Sequence, residues 1–285
     1  MDKDTFLNRK TTLNLKGVLL DLSTPCVMGI VNITPDSFFS ESRNATVDQA
    51  LAKTETLLNE GAKFIDIGGY SSRPGAQEVS IAEEIDRVVP VIAAIHQHFP
   101  EAILSIDTFR AAVAKESIAA GAHVINDISG GELDEQMFET VAELAVPYIL
   151  MHMKGTPQNM HHAPHYENVT LEVVNYLEKK VGQLRKLGIK DIMLDPGFGF
   201  AKNQSHNYKL LQEMEDLHIL GLPLLVGFSR KAMVHKTLGI TPDQALNGTS
   251  VLNTIALLKG AKILRVHDVR EAQECITLIQ KMQQV

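Results

Sequence analysis

Short apolar runs recur along the chain at 26–31, 63–67, 102–106, 123–125, 147–151, 191–194, 223–226 and 261–266, with little polar alternation inside them. Strands of that kind are buried on both faces, as in a parallel sheet covered by helices. The intervening segments carry helical signals. Thr46-Val-Asp-Gln49 has the form of a capping box and predicts a helix to Asn59, stopped by Gly61. Ser80-Ile-Ala-Glu83 repeats the form, and Ile81, Ile85, Val88, Ile92 and Ile95 follow at helical spacing, with a kink or break expected at Pro90. Val174, Leu177, Val181, Leu184 and Leu187 make a third stripe, and shorter helices are expected after Asp134, Ser229, Asp243 and Asp268.

Eight strands alternating with helices over 285 residues predict an α/β chain, a (β/α)8 TIM barrel in one domain spanning 23–285. A doubly wound open sheet is the rival architecture, but it seldom needs eight parallel strands in one domain. Residues 1–22 read as an N-terminal extension, with a strand or hairpin over 11–20 plugging the barrel bottom.

Composition narrows the function classes. Lys and Arg number 27 against 34 Asp and Glu, a net charge of −7, which argues against a general nucleic-acid binder. Cys26 and Cys275 are the only cysteines, so a disulfide scaffold and a Cys-based zinc site are excluded. No apolar run approaches the ~18–20 residues of a membrane span. The first residues are polar and lack a signal peptide's apolar core, so a cytoplasmic protein is expected.

The chemistry-bearing residues follow the predicted strands: Asn32, Asp66, Asp107, Asn126, His152, Asp195, Ser229 with Lys231, and Arg265 with His267. In a barrel these ends converge on one mouth, where the active site lies. Asp107 or Asp195 alone could cap a helix. With Asn126 at the same end they suit a pocket for a heterocycle, because a carboxylate pairs with a ring N–H and an exocyclic amine while Asn both donates and accepts. Asp66 has the same placement, but Gly68-Gly69 follows, so a structural role is equally good. Ser229-Arg230-Lys231 at a helix start, with Arg265 and His267, suits a phosphate or pyrophosphate; solvated basic residues are the plainer alternative. Segments 32–39 and 68–75 read as lids. The Asn32 carbonyl suits Mg²⁺ shared with a diphosphate. His161, His162 and His165 invite a zinc reading, which a polar surface loop explains better, and Met151 serves either a flat ligand or the core.

Seven motifs now stand in order: Asn32-Ile-Thr-Pro-Asp-Ser-Phe38, Asp66-Ile-Gly-Gly-Tyr-Ser-Ser-Arg-Pro-Gly-Ala76, Ser105-Ile-Asp-Thr108, Asn126-Asp-Ile-Ser-Gly-Gly131, Leu194-Asp-Pro-Gly-Phe-Gly-Phe200, Gly227-Phe-Ser-Arg-Lys231 and Arg265-Val-His-Asp-Val269. Together they resemble the dihydropteroate synthases over about residues 26 to 270. The resemblance implies the same barrel and a transferase of folate biosynthesis. It would join 6-hydroxymethyl-7,8-dihydropterin pyrophosphate to 4-aminobenzoate, by a dissociative, SN1-like path assisted by Mg²⁺. It implies catalytic roles for Asn32, Asp107 and Lys231, and a pterin site of Asp107, Asn126, Met151, Asp195, Gly227, Lys231 and Arg265. Pyrophosphate would meet Asn32, Ser72, Arg73, Arg265 and His267, with Asn32 on the metal. Aminobenzoate would meet Phe38, Ser72, Arg73, Pro74, Phe200 and Lys231. Sulfonamide inhibition and a homodimer through the late helices are also implied, with no nucleic-acid or membrane partner.

Three positions depart from the family pattern: Tyr70 where Glu is common, Phe39-Ser-Glu-Ser42 in the first lid, and Ala232 where Ser often follows the Lys. Two other readings stay open. One is a pterin-binding methyltransferase barrel, which needs no pyrophosphate site; the other is a non-catalytic pterin-binding homologue.

Overall fold

The computed structural model describes residues 10–15, 17–33, 43–70, 79–156 and 164–284, with backbone alone at 43–45. The apolar runs form eight parallel strands: β3 (Cys26–Asn32), β4 (Phe64–Gly68), β5 (Ile103–Asp107), β6 (Val124–Asp127), β7 (Tyr148–Met151), β8 (Ile192–Asp195), β9 (Leu225–Val226) and β10 (Ile263–Val266). Their order is β8-β7-β6-β5-β4-β3-β10-β9. A parallel bridge between Leu194 and Leu224 joins the two ends, so the sheet closes into a barrel. Helices α1 (Arg43–Asn59), α2 (Ile81–His98), α3 (Ala111–Ala119), α4 (Met137–Leu144), α5 (Val169–Lys186), α6 (Gln204–Gln212), α7 (Ala232–Leu238), α8 (Leu246–Leu258) and α9 (Val269–Gln283) are strung between and after the strands.

Alternate strand residues divide between two apolar layers, as the two-residue strand period requires. Outward residues such as Val27, Val31, Ile65, Ile67, Leu104 and Ile106 pack beneath helical side chains such as Leu57, Val88, Ile92 and Ile95. Inward residues make the barrel floor, one from each strand: Met28, Phe64, Ile103, Val124, Ile149, Met193, Leu225 and Ile263. Below the floor, β1 (Thr12–Leu15) and β2 (Val18–Asp21) form an antiparallel hairpin. Its Leu13 and Leu15, with Leu22, join the floor cluster. Burying one leucine contributes about 1.5–3 kcal/mol, and Asn14 N–H and Lys10 Nζ also donate to Asp191 Oδ1 at 3.1 and 2.7 Å, so Leu13, Leu15 and the adjoining Leu22 hold the hairpin together with these polar ties to the barrel.

Helix boundaries differ from expectation in places. Helix α1 begins at Arg43, so Thr46 lies inside it and does not cap it; Arg and Ala are good helix formers and let the helix start early. Ser80 does cap α2, accepting the Glu83 backbone N–H at 3.2 Å, while the Glu83 carboxylate turns to Arg87. Helix α2 runs unbroken through Pro90, because the buried face on both sides of it (Val88, Val91, Ile92 and Ile95) packs as one surface. In α5 the buried stripe takes Val173 in place of Val174, and Leu187 is an exposed C-cap. Helices α4, α7, α8 and α9, at 8, 7, 13 and 15 residues, are shorter than the 17–18 residues of α1, α2 and α5, as expected, and α3 and α6 arise where no helix was expected.

Candidate active site

Above the floor, the inward positions turn polar. Asp66 (β4), Asp107 (β5), Asn126 (β6), Asp195 (β8) and Arg265 (β10) all take inward strand positions, and Asn32 ends β3. Arg265 organises this layer. Its Nε donates to Asp66 Oδ2 and its Nη2 to Asp107 Oδ2, each at 2.6 Å. Asn126 Nδ2 also donates to Asp66 Oδ2, at 3.0 Å. Asp66 is fully buried, and among the described residues its Oδ1 has no hydrogen-bond partner. Two acids flank one guanidinium here, and Asp195 adds a third acid to the layer. Burial opposes the Arg265 charge, but Asp66 and Asp107 more than offset it and hold the guanidinium protonated above its usual range. Burial pushes the Asp107 carboxyl up to about 7 against the pull of Arg265, with Asp66 and Glu84 adding to the rise.

Lys231 enters from the loop after β9. Its Nζ donates to the Phe198 carbonyl at 2.6 Å and lies 4.7 Å from the centre of the Phe200 ring. Burial lowers its ammonium to about 8, against the attraction of Asp195. Burial raises the Asp195 carboxyl, opposed first by Lys231, and Asp195 Oδ1 accepts the Gly197 N–H at 2.7 Å. Gly227 leaves space between two of these groups: a Cβ there would sit 3.8 Å from both Lys231 Nζ and Arg265 Cβ. A Cβ on Gly68 would lie 3.8 Å from Asn32 Oδ1 and 3.7 Å from Asp107 Oδ2, so those two oxygens share one corner. Gly69 has a different cause, since a Cβ there would meet Val88 at 2.7 Å; α2 approaches the strand too closely for any side chain. One wall is apolar, with Ile128, Met151, Met153 and Ala201 packed together with Phe109, Leu133 and Phe200.

The loops after β9 and β10 are tied together. The Ser229 hydroxyl is 2.9 Å from His267 Nδ1, and Arg230 Nη2 is 2.8 Å from Asp268. Arg230 has φ of 59°, a left-handed conformation rare outside glycine. Lys231, not Ser229, is the N-cap of α7.

The structure therefore brings together Asn32, Asp107, Asn126, Met151, Asp195, Phe200, Gly227, Lys231, Arg265 and His267 at one barrel end. Phe38, Ser72, Arg73, Pro74, His161 and His162 lie outside the described residues. Among the described residues no cluster of three or more His, Cys, Asp or Glu could hold a metal. His152 does not join the mouth. It is buried at the edge of Tyr176, with Nδ1 3.0 Å from Lys202 Nζ. Tyr70 stands edge-on to Phe109 at 5.1 Å, with Arg110 over both rings. Arg110 also pairs with buried Glu84, which accepts from Thr108 as well.

Asp66, which the sequence left between a pocket role and a structural one, is the acid on which both Arg265 and Asn126 converge. Lys202 was not singled out by the sequence. Lys202 Nζ donates to the Gly197 and Phe200 carbonyls at 2.9 and 3.1 Å and to His152 Nδ1, locking the loop that carries Phe198 and Phe200. Burial lowers its ammonium to about 7, and burial with Lys202 nearby keeps His152 neutral. Gly197, at φ 72°, is confined to glycine because a Cβ would fall 2.0 Å from the His152 carbonyl oxygen.

A closed barrel with an Asp/Asn pocket and a cationic rim at its C-terminal mouth defines a pterin-binding enzyme, and the family model of that description, "Pterin binding enzyme", matches residues 28–267. Among curated proteins, the dihydropteroate synthase of Escherichia coli (strain K12) is 45% identical over 268 residues, covering 93% of this chain and 94% of its own. A crystal structure of the Yersinia pestis dihydropteroate synthase with a sulfonamide drug matches with TM-score 0.89 at 45% identity, over 96% of this chain and 100% of that one. The Xanthomonas albilineans dihydropteroate synthase in complex with 7,8-dihydropteroate matches with TM-score 0.86 at 38% identity, over 96% and 99%. The chain belongs to the dihydropteroate synthase family, transferases of folate biosynthesis. Among the described residues no helix is long and apolar enough to cross a membrane.

Proposed function

We propose that this chain condenses 6-hydroxymethyl-7,8-dihydropterin pyrophosphate with 4-aminobenzoate by a dissociative path, releasing pyrophosphate and 7,8-dihydropteroate. The observation that carries the reading is the polar layer of Asp107, Asn126, Asp195, Lys231 and Arg265 lying directly above an apolar barrel floor. The carboxylates accept from the pterin's ring N–H and exocyclic amine, Asn126 pairs with its other edge, and Met151 with its neighbours supplies the flat apolar wall. As the methylene carbon–oxygen bond breaks, the electron pair leaves with the pyrophosphate and positive charge develops at the methylene. Ionised Asp107 stabilises that charge from a site of low polarity. Arg265 and His267 receive the leaving anion, together with Asn32, Ser72 and Arg73. Lys231 and Phe200, with Phe38, Ser72, Arg73 and Pro74, form the aminobenzoate side. The neutral arylamine attacks the methylene and then loses a proton to solvent, so no strong base is required.

The donors present fit Mg²⁺. Asn32 offers one hard oxygen beside Asp107, which suits an ion that arrives on a diphosphate and keeps most of its waters. When bound, that ion neutralises charge on the leaving pyrophosphate.

Two further expectations belong to the same reading. The chain works in the cytoplasm, and it pairs as a homodimer through its late helices, where Leu238, Leu246, Val251, Leu258, Leu278 and Met282 are exposed. Sedimentation of the purified protein at the mass of one chain would count against the dimer.

The test is turnover with both substrates and Mg²⁺, reading pyrophosphate and dihydropteroate together. Equal amounts support the reading. Pyrophosphate without dihydropteroate means water captures the cation, and the aminobenzoate assignment is then wrong. Undiminished turnover in chelator would remove Mg²⁺ from the scheme.

A further inference from the structure

The loop after β9 crosses to the loop after β10 through one hydroxyl with two partners. Ser229 Oγ accepts the His267 backbone N–H at 3.2 Å and lies 2.9 Å from His267 Nδ1. Ser229 is buried, and among the described residues its hydroxyl makes no other hydrogen bond. A hydroxyl carries one proton. The backbone N–H can only donate, so it takes an Oγ lone pair. Among the described residues the hydroxyl proton then has one acceptor within reach, His267 Nδ1. A neutral imidazole accepting at Nδ1 must carry its own proton at Nε2.

The left-handed Arg230 follows Ser229 directly, a conformation strained in a non-glycine residue. Its guanidinium is anchored on Asp268, the neighbour of His267, at 2.8 Å. Two successive residues of one loop thus grip two successive residues of the next.

We propose that Ser229 is a positioning residue that fixes the orientation and tautomer of His267, so that Nε2–H is the donor offered to the leaving diphosphate. The inference rests on the proposed role of His267 at the diphosphate. Ser229 itself need not touch the substrate.

Three measurements test it, each with Ser229→Ala, His267→Ala and the double variant beside the parent. In the histidine-labelled parent above pH 8, nitrogen NMR should find His267 Nδ1 unprotonated and Nε2 protonated. A proton on Nδ1 overturns the proposal without any variant having to fold. Calorimetry with inorganic diphosphate and Mg²⁺ should show about tenfold weaker binding for Ser229→Ala, and no further loss when that change is added to His267→Ala. Turnover should show a lower kcat and a higher KM for the pterin pyrophosphate, with the KM for 4-aminobenzoate unchanged. An additive effect in the double variant, or a change confined to the aminobenzoate KM, overturns it. Failure of the parent to bind diphosphate would instead remove the proposed role of His267, while the nitrogen spectrum still decides how Ser229 holds the ring.

Discussion

Replacing Asp66 separates the two acids that hold Arg265. In Asp66→Asn the shape is kept, and the amide oxygen can take the Oδ2 position and still accept from Arg265 Nε and Asn126 Nδ2, now 2.6 and 3.0 Å away. The charge is lost. A hydrogen bond to a charged acceptor is worth about 1.5–3 kcal/mol against about 0.5–1.5 for a neutral one, so the Arg265 contact weakens by roughly 1–1.5 kcal/mol. The new NH₂ falls where Oδ1 has no partner among the described residues, which adds an unsatisfied donor in a fully buried place. Relief of burying one carboxylate offsets part of this. A net destabilisation of about 1–2 kcal/mol is expected. Asp66→Ala also removes the acceptor of Asn126 and should cost about 3–5 kcal/mol. Urea unfolding followed by circular dichroism measures both, read as a shift of midpoint at constant slope. Because Arg265 then keeps Asp107, at 2.6 Å, as its one charged anchor among the described residues, kcat/KM for the pterin pyrophosphate should fall about tenfold in Asp66→Asn, equivalent to 1.4 kcal/mol. An Asn variant with the parent's midpoint and the parent's kcat/KM would refute the argument, since Asp107 alone would then suffice to place Arg265.

Three more expectations follow from the same structure. Asp107, with its carboxyl pushed up to about 7 mainly by burial, stabilises cationic charge only when ionised. A pH profile of kcat/KM should therefore fall about tenfold per pH unit well below pH 7 and level off above it; a flat profile from pH 5.5 to 8 would contradict this. Lys202→Met leaves the Gly197 and Phe200 carbonyls and His152 Nδ1 without their donor. It should cost about 2–4 kcal/mol in urea and raise the aminobenzoate KM by loosening Phe200, and unchanged stability would refute it. Tyr148→Phe removes a 2.6 Å hydrogen bond to outward-facing, buried Asp127. About 1.5–3 kcal/mol of stability should be lost with kcat unchanged, and a drop in kcat at full folding would show that Asp127 reaches the mouth.

The barrel was legible because each parallel strand is buried on both faces and prints an uninterrupted apolar run. The mouth was legible because such a run ends where a polar residue can face the ligand, as at Asp107, Asn126 and Asp195. Helices α3 (Ala111–Ala119) and α6 (Gln204–Gln212) were not, since the first is apolar on most sides and the second has few apolar positions, so neither prints a clear stripe. Thr46 misled because a capping box needs a chain that is non-helical before it, and Arg43 to Ala45 are helical here. His152 misled because strand-end position does not set facing, and it turns away from the barrel axis to Lys202. Asp66 and Lys202 act through partners distant in sequence, 199 positions for Arg265 and 50 for His152. No local pattern records such pairs; only the closed barrel does.

The hairpin under the barrel has a consequence for the order in which the chain is made. Leu13 and Leu15 are made before the eight barrel strands, but the surface that receives them includes Ile263, on the last of those eight to emerge. That strand also pairs with β3, the first of the eight, and carries Arg265. A nascent chain short of β10 has neither a finished seat for Leu13 and Leu15 nor the Arg265 guanidinium that pairs with Asp66 and Asp107. Contacts spanning almost the whole sequence make such closure slow and late. Sealing the floor and neutralising the mouth thus become one event, so a partly synthesised chain carries an open apolar end and an unbalanced acidic one until the same four-residue segment arrives.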